Sequence, residues 1–174
     1  MIRMNGVKNM LFSLLIAAGV AFALPASADE ELPDATQPKL TEKVLDKANG
    51  IVSNALGMVG IKYKWGGNSP STGFDCSGFV RYVYANALGV LLPRRSMDMV
   101  NIGQRVSLSD LMPGDLVFFK NKRGSYAHVG IYVGDNKFIH APRSGRNIEV
   151  EELSAKSFNF RLSGARRPYE LNEE

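Results

Sequence analysis

Residues 127–141, Ala127-His128-Val129-Gly130-Ile131-Tyr132-Val133-Gly134-Asp135-Asn136-Lys137-Phe138-Ile139-His140-Ala141, read as two strands folded back on each other. Val129 to Val133 and Lys137 to Ala141 carry the β-branched and aromatic residues that suit strands, and Gly134-Asp135-Asn136 supplies the turn between them. The only two histidines of the chain fall in this stretch. A two-residue turn at Asp135-Asn136 sets His140 opposite Ile131 and sends His128 to the other side of the sheet. A three-residue loop, with Asn136 in the left-handed region, sets His140 opposite Gly130, so that His128 and His140 become diagonal neighbours on one face. Asn tolerates that backbone; the residues leave both registers open.

Upstream lies the other informative stretch, Gly73-Phe74-Asp75-Cys76-Ser77-Gly78-Phe79-Val80. Asp75 is a good N-cap, and Phe79, Val80, Val83, Tyr84, Ala87 and Leu88 form one apolar face, so a helix is expected from Cys76 until Gly89 ends it. Cys76 then sits in the first turn, on the buried side, with its sulfur expected to point towards the sheet. Free backbone N–H groups and the positive helix end favour a thiolate there, lowering the thiol pKa into the range of roughly 3.5–7.5 when an imidazolium is adjacent.

Further outward, Thr41 is expected to cap a first helix with Val44, Ala48, Ile51, Val52, Ala55, Leu56 and Val59 on one face. Tyr63 to Gly73 reads as a loop, and a short helix is expected around Ser96 to Ile102. Leu116–Phe119, Ile148–Val150 and Arg161–Ala165 read as further strands. Helices first and strands second is an α+β pattern with an antiparallel sheet.

The N-terminal stretch differs in kind. Arg3 and Lys8 precede an uncharged run from Leu11 to Leu24, and Ala26-Ser27-Ala28 follows. This is the three-part pattern of a secretory signal peptide over residues 1–28. The alternative is a membrane anchor, but the run of 14 residues is short of the roughly 20 that span a bilayer. Cleavage after Ala28 is expected, giving a periplasmic or secreted protein with no stable membrane anchor. Residues 29–40, acidic and containing Pro33 and Pro38, read as a flexible linker. Residues 41–174 form one domain, large enough to bury about two-thirds of its unfolded surface. The net charge of +4 includes Arg3 and Lys8. So mild a bias does not argue for nucleic acid, and it suits an anionic wall polymer only weakly. A monomer is expected.

Cys76 is the single cysteine. In an oxidising compartment a structural cysteine usually has a partner, so Cys76 is an intermolecular bridge, an inert buried thiol or a reactive one. With His128 and His140 it forms a possible nucleophile, base and orienting group. The bland alternative is two partly buried strand histidines. A Cys-His-His metal site is chemically allowed, but there is no close ligand pair such as two histidines on one helical face, and neither metal nor cofactor is expected.

Tyr63-Lys64-Trp65-Gly66-Gly67, the Asp75-Cys76-Ser77-Gly78 block, Pro113-Gly114-Asp115-Leu116-Val117-Phe118-Phe119, Ala127-His128-Val129-Gly130-Ile131-Tyr132 and Phe138-Ile139-His140-Ala141 together resemble the NlpC family of papain-like cell-wall endopeptidases, from about Ile51 to Arg167. The resemblance implies a papain-like α+β fold, N-terminal helices on a C-terminal antiparallel sheet. It also implies Cys76 as nucleophile, His128 as base and His140 as the residue orienting it. Tyr63 matches a tyrosine lining the family's site, near the oxyanion or the substrate peptide; an ordinary loop aromatic packed on Trp65 is the alternative. Asp75 and Ser77 match positions that contact the substrate's amino end, with helix capping as the competing reading of Asp75. Arg94 matches a segment near the cleft, where it meets a substrate carboxylate or is simply solvated. The implied substrates are peptidoglycan stem peptides, cut between D-glutamate and a diamino acid or at a diamino acid cross-link. A non-catalytic wall-binding scaffold and an amidase acting at the muramic acid–L-alanine bond are the alternative functions.

Overall fold

The structure, a computed structural model, describes residues 37–154 and 161–168, with side chains from Glu42 onward. The expected signal peptide and all but the end of the expected linker lie outside the described residues.

The elements run α1 (Gln37–Leu56), β1 (Asn68–Ser69), β2 (Gly73–Phe74), α2 (Cys76–Leu88), α3 (Ser96–Met99), β3 (Gln104–Val106), a 3-10 turn (Leu108–Asp110), β4 (Leu116–Lys120), β5 (Tyr126–Gly134), β6 (Lys137–His140), β7 (Glu149–Glu152) and β8 (Arg161–Arg167). Six strands form one antiparallel sheet in the order β3-β8-β4-β5-β6-β7. This is the α+β arrangement of helices before a sheet that the sequence pattern implies.

Helix α1 begins at Gln37, four residues before the expected cap at Thr41 and inside the expected linker. Pro38 is compatible with this, because the first helical turn has no use for its missing N–H. Val44, Ala48, Ile51 and Ala55 are buried as expected, but Leu56 and Val59 are about half exposed. The helix ends at Leu56 and the chain turns away through Gly60, at φ +89°, so the apolar face does not continue.

Helix α2 follows its sequence closely. The Asp75 side chain accepts a hydrogen bond from the Gly78 N–H, and Gly89 closes the other end at φ 69°, in the left-handed region. Phe79, Val80, Val83 and Tyr84 are buried against Leu116, Phe118, Val129, Ile131 and Ile139 of the sheet. The Tyr84 hydroxyl donates to the Gly114 carbonyl. Gly78 is required by close packing: a Cβ there would lie 2.1 Å from the Gly67 carbonyl oxygen. The Trp65-Gly66-Gly67 loop is thereby held against the start of α2.

On the other sheet face, Val106, Val117, Phe119, Phe138 and Ala165 form a second buried cluster. Between the strands, Asp115 and Arg167 make a buried two-point ion pair, Nε to Oδ1 at 2.7 Å and Nη2 to Oδ2 at 2.8 Å. Asp115 also accepts from the Met112 N–H.

The hairpin register is the odd one. Ile131 pairs with Ile139 and Tyr132 with Phe138, which places His140 level with Gly130. The means differ from the expected three-residue loop. Asp135 and Asn136 both have positive φ, 49° and 57°, and form a tight two-residue turn, with Gly134 paired to Lys137. The extra residue is a bulge at Val133, between Tyr132 and Gly134. Among the described residues, no helix is long and apolar enough to cross a membrane.

Candidate active site

Cys76 is the first residue of α2, and His128 lies near the start of β5. Both line a cleft of about 750 Å³, with Tyr63, Trp65, Asp75, Ser77 and Arg94 in its walls. As expected, Cys76 points towards the sheet and packs against the core between α2 and the strands. Strand alternation puts Val129, Ile131 and Ile139 on the α2 side, while His128 and His140 lie on the opposite face against Phe119 and Phe138. The sulfur comes to the sheet near the start of β5, where the Val129 N–H donates to it; the N–H groups of Ser77 and Cys76 itself also face it.

His140 does not line the cleft. It is fully buried behind His128, and His128 Nε2 lies 2.7 Å from His140 Nδ1. The ring centroids are 5.0 Å apart at an interplanar angle of 82°. This edge-on approach uses one nitrogen of each ring, Nε2 of His128 and Nδ1 of His140. Gly130 makes room for it: a Cβ at Gly130 would sit 2.7 Å from the Phe138 ring and 3.3 Å from His140 Cβ. Sequence reasoning gave Gly130 no role beyond its place in the motif.

Electrostatics in the cleft oppose the expected low thiol pKa. Burial pushes the Cys76 thiol up to about 11, the neighbouring Asp75 carboxylate adds to this, and the three backbone N–H groups only partly offset it. Burial likewise pushes His128 down to about 3. His140 is pushed down to about 2 by burial, with His128 and Arg146 contributing. The helix N-terminus is thus outweighed by desolvation. These shifts favour a neutral thiol beside neutral imidazoles, from which one proton transfer gives a net-neutral ion pair.

Asp75 and Ser77 are engaged with each other and with Arg94. Arg94 Nη1 donates to Asp75 Oδ1 and to Ser77 Oγ, each at 2.9 Å, and Nη2 lies 2.6 Å from Asp75 Oδ2. Arg94 is therefore ion-paired in two-point geometry, not simply solvated. The Gly66 N–H also donates to Asp75, so this carboxylate caps α2, braces the Trp65-Gly66 loop and neutralises Arg94 at once. Tyr63 is half-buried in the wall, tied by its N–H to the Arg146 carbonyl at 2.9 Å. Its phenol pKa is raised by burial first and by the charges of Cys76 and Asp75 next. Trp65 is 85% exposed, so it does not pack Tyr63 into an ordinary loop cluster.

Donor atoms of His140, Glu149 and Glu151 lie within 4.8 Å of one another, a group of the kind that holds cations. Arg146 already sits on both carboxylates, 2.6 Å from Glu149 and 3.3 Å from Glu151, and its charge opposes a cation there. Cys76 is not part of that group.

With this geometry in place, the comparisons with known proteins are informative. Residues 60–167 match the model of the NlpC/P60 family. The chain belongs to this family. It is 40% identical over 145 residues to the murein DD-endopeptidase MepH of Escherichia coli, covering 81% of this chain and 52% of that protein. It is 38% identical over 122 residues to the gamma-D-glutamyl-L-lysine dipeptidyl-peptidase of Bacillus subtilis, covering 69% of this chain and 40% of that one. The chain thus spans about half or less of the length of these relatives. Among solved structures, the peptidoglycan hydrolase RipB of Mycobacterium tuberculosis superposes with a TM-score of 0.63 at 29% identity, over 74% of this chain and 68% of that one.

Proposed function

We propose that this chain is a cysteine endopeptidase that hydrolyses peptide bonds in peptidoglycan stem peptides or their cross-links, as part of cell-wall remodelling. The observation that carries the reading is Cys76 and His128 in one cleft, with His128 backed by His140 at 2.7 Å. The names of the relatives, an endopeptidase and a dipeptidyl-peptidase of wall peptides, support the substrate class.

The chemistry follows from Nδ1 of His128, the ring nitrogen that does not meet His140. As the Cys76 sulfur bonds to the substrate carbonyl carbon, the thiol proton passes to His128 Nδ1. The carbonyl π electrons move to oxygen, beside the backbone N–H groups at the start of α2. Collapse of this adduct breaks the C–N bond, and His128 returns its proton to the leaving amine, leaving a thioester on Cys76. A water molecule, giving its proton to His128 Nδ1, then attacks the thioester, and the released thiolate recovers that proton. His140 holds the His128 ring throughout. Tyr63, Asp75 and Ser77 line the cleft with Cys76; Tyr63 is proposed to stand near the oxyanion or the substrate peptide, and Asp75 and Ser77 to meet the substrate's amino end as one polar unit with Arg94.

Export to the periplasm or outside the cell, without a stable membrane anchor and as a monomer, completes the reading. Export is supported by Arg3, Lys8, the uncharged run and Ala26-Ser27-Ala28. Sequencing the N-terminus of the protein from cells is expected to give Asp29; Met1 on a cytosolic protein would contradict export.

Digestion of purified muropeptides followed by mass spectrometry tests the reaction. Fragments cut within the stem or at a cross-link are expected. Release of intact stems from muramic acid would mark an amidase, and binding without any product would mark a scaffold; either overturns the proposal.

A further inference from the structure

We propose that Glu151, steered by Arg146, is a positioning residue that fixes the tautomer of His140 and, through it, that of His128. This rests on the cysteine–histidine reading above and extends its hydrogen-bonded chain by one carboxylate.

The sheet register builds the row. His140 is level with Gly130 on β5, two residues from His128, and it pairs directly with Glu149 on β7. Glu151 is two residues further along β7, so His128, His140, Glu149 and Glu151 share one face. His140 Nδ1 is committed to His128, and on the far side of the ring His140 Nε2 lies 3.7 Å from Glu151 Oε2. The Glu151 side chain is only 12% exposed. Arg146 lies 3.3 Å from the other oxygen, Oε1, and 2.6 Å from Glu149 Oε2. Arg146 thus sits closer to Glu149, while Glu151 turns Oε1 towards Arg146 and Oε2 towards His140. The Arg146 backbone is itself tied to Tyr63 in the cleft wall.

The consequence is a choice between two proton arrangements. Neutral His140 carries its proton on one nitrogen only. If that nitrogen is Nδ1, it donates to His128 Nε2 and forces the His128 proton onto Nδ1, which then cannot accept from the thiol. If it is Nε2, then Nδ1 accepts from His128 Nε2–H, and His128 Nδ1 is left bare for Cys76. A carboxylate 3.7 Å from the Nε2 side of His140 selects the second arrangement, because its negative charge favours an N–H dipole pointed at it over a bare nitrogen lone pair, enough in a buried site to shift a tautomer ratio roughly tenfold. The 3.7 Å separation is a few tenths of an ångström beyond hydrogen-bond length. The attraction across it grows when His128 takes the thiol proton, because positive charge then appears in the pair. No proton moves beyond His128: the N–H groups at His128 Nε2 and His140 Nε2 stay where they are.

Nitrogen-15 NMR of histidine-labelled full-length protein at neutral pH reads the tautomer without needing activity. Wild-type His140 is expected to be protonated at Nε2 and bare at Nδ1. Glu151→Ala should produce a mixture of tautomers and lower kcat roughly tenfold with little change in KM. Glu151→Gln, which presents a carbonyl oxygen without the charge, should restore both only in part, and Glu149→Gln should leave the tautomer in place. A wild-type His140 protonated at Nδ1, or a Glu151→Ala protein with unchanged tautomer and kcat, would overturn the proposal. If the wild type cleaves no muropeptide, the peptidase reading fails, while the tautomer of His140 still decides the role of Glu151.

Discussion

His128 Nε2 and His140 Nδ1 stand 2.7 Å apart because the bulge at Val133 shifts β6 by one residue against β5. Without that extra residue the two rings would lie on opposite faces of the sheet. Proposed as base and orienting group, they should respond differently to removal. His128→Ala is expected to lower kcat by a factor near the upper end of the roughly 10²–10⁴-fold range for acid–base groups, and His140→Ala by a factor near its lower end. Steady-state kinetics on a purified muropeptide decides. Equal, negligible losses would remove both roles.

Gly130 keeps the space in which the two rings meet. A Cβ there lies 2.7 Å from the Phe138 ring and 3.3 Å from His140 Cβ, so Gly130→Val must displace one of them. The expected result is a folded but less stable protein, by about 1–3 kcal/mol as for other overpacked sites, with activity reduced far more than the loss of folded protein explains. Urea melts beside kcat measurements separate the two effects. Unchanged activity would show that the His128–His140 approach tolerates several tenths of an ångström.

The buried Asp115–Arg167 pair holds the loop before β4 to β8 and takes no part in the cleft. Asp115→Ala leaves the guanidinium buried without its partner, and about 3–5 kcal/mol of stability should be lost. Replacing both residues, Asp115→Leu with Arg167→Met, should recover much of it. If the double variant is no more stable than Asp115→Ala, the cost does not come from the uncompensated charge.

Acid should weaken the fold through the histidines. Both have folded pKa values pushed well below the ordinary 6.5, to about 3 and about 2. The unfolded chain therefore takes up two protons that the folded one refuses as pH falls below about 6.5. Stability is full above that value and is lost progressively on the way down towards the folded values. The urea midpoint should fall between about pH 6.5 and pH 5 in wild type and much less in a His128→Gln/His140→Gln variant. Parallel curves for the two proteins would mean that the rings are not held neutral.

Much of this was legible in the residues. The Asp75 cap, the α2 face and the Gly89 stop are local signals, and each is realised as read. The register of the hairpin was not, because Asp135-Asn136 suits a tight turn and nothing in Tyr132-Val133-Gly134 announces a bulge. Strand β3 was missed for a related reason: Gln104-Arg105-Val106 has one buried residue, too short a pattern to show alternation. The Arg94–Asp75 pair joins residues 19 apart, and no local rule brings them together. The thiol pKa went the wrong way because the helix N-terminus is visible in sequence, whereas the depth of burial that outweighs it is a tertiary property. Glu151 gave no signal, since a charged residue on an edge strand usually faces solvent, and Arg146 gave none from the loop between β6 and β7.

The central claim is that the Cys76 sulfur itself breaks the bond, and a single substitution addresses it. Purified sacculi are incubated with wild-type protein or with Cys76→Ser, and the soluble products are identified by mass. Serine keeps the shape of the cleft, but an alcohol gives up its proton far less readily than a thiol, and burial has lowered the basicity of His128, so the variant is expected to fold normally and release no peptide fragments above background. Wild-type protein should release fragments cut within the stem or at a cross-link. Cleavage by the serine variant at the wild-type rate would contradict the account, because the bond would then be broken by something other than Cys76.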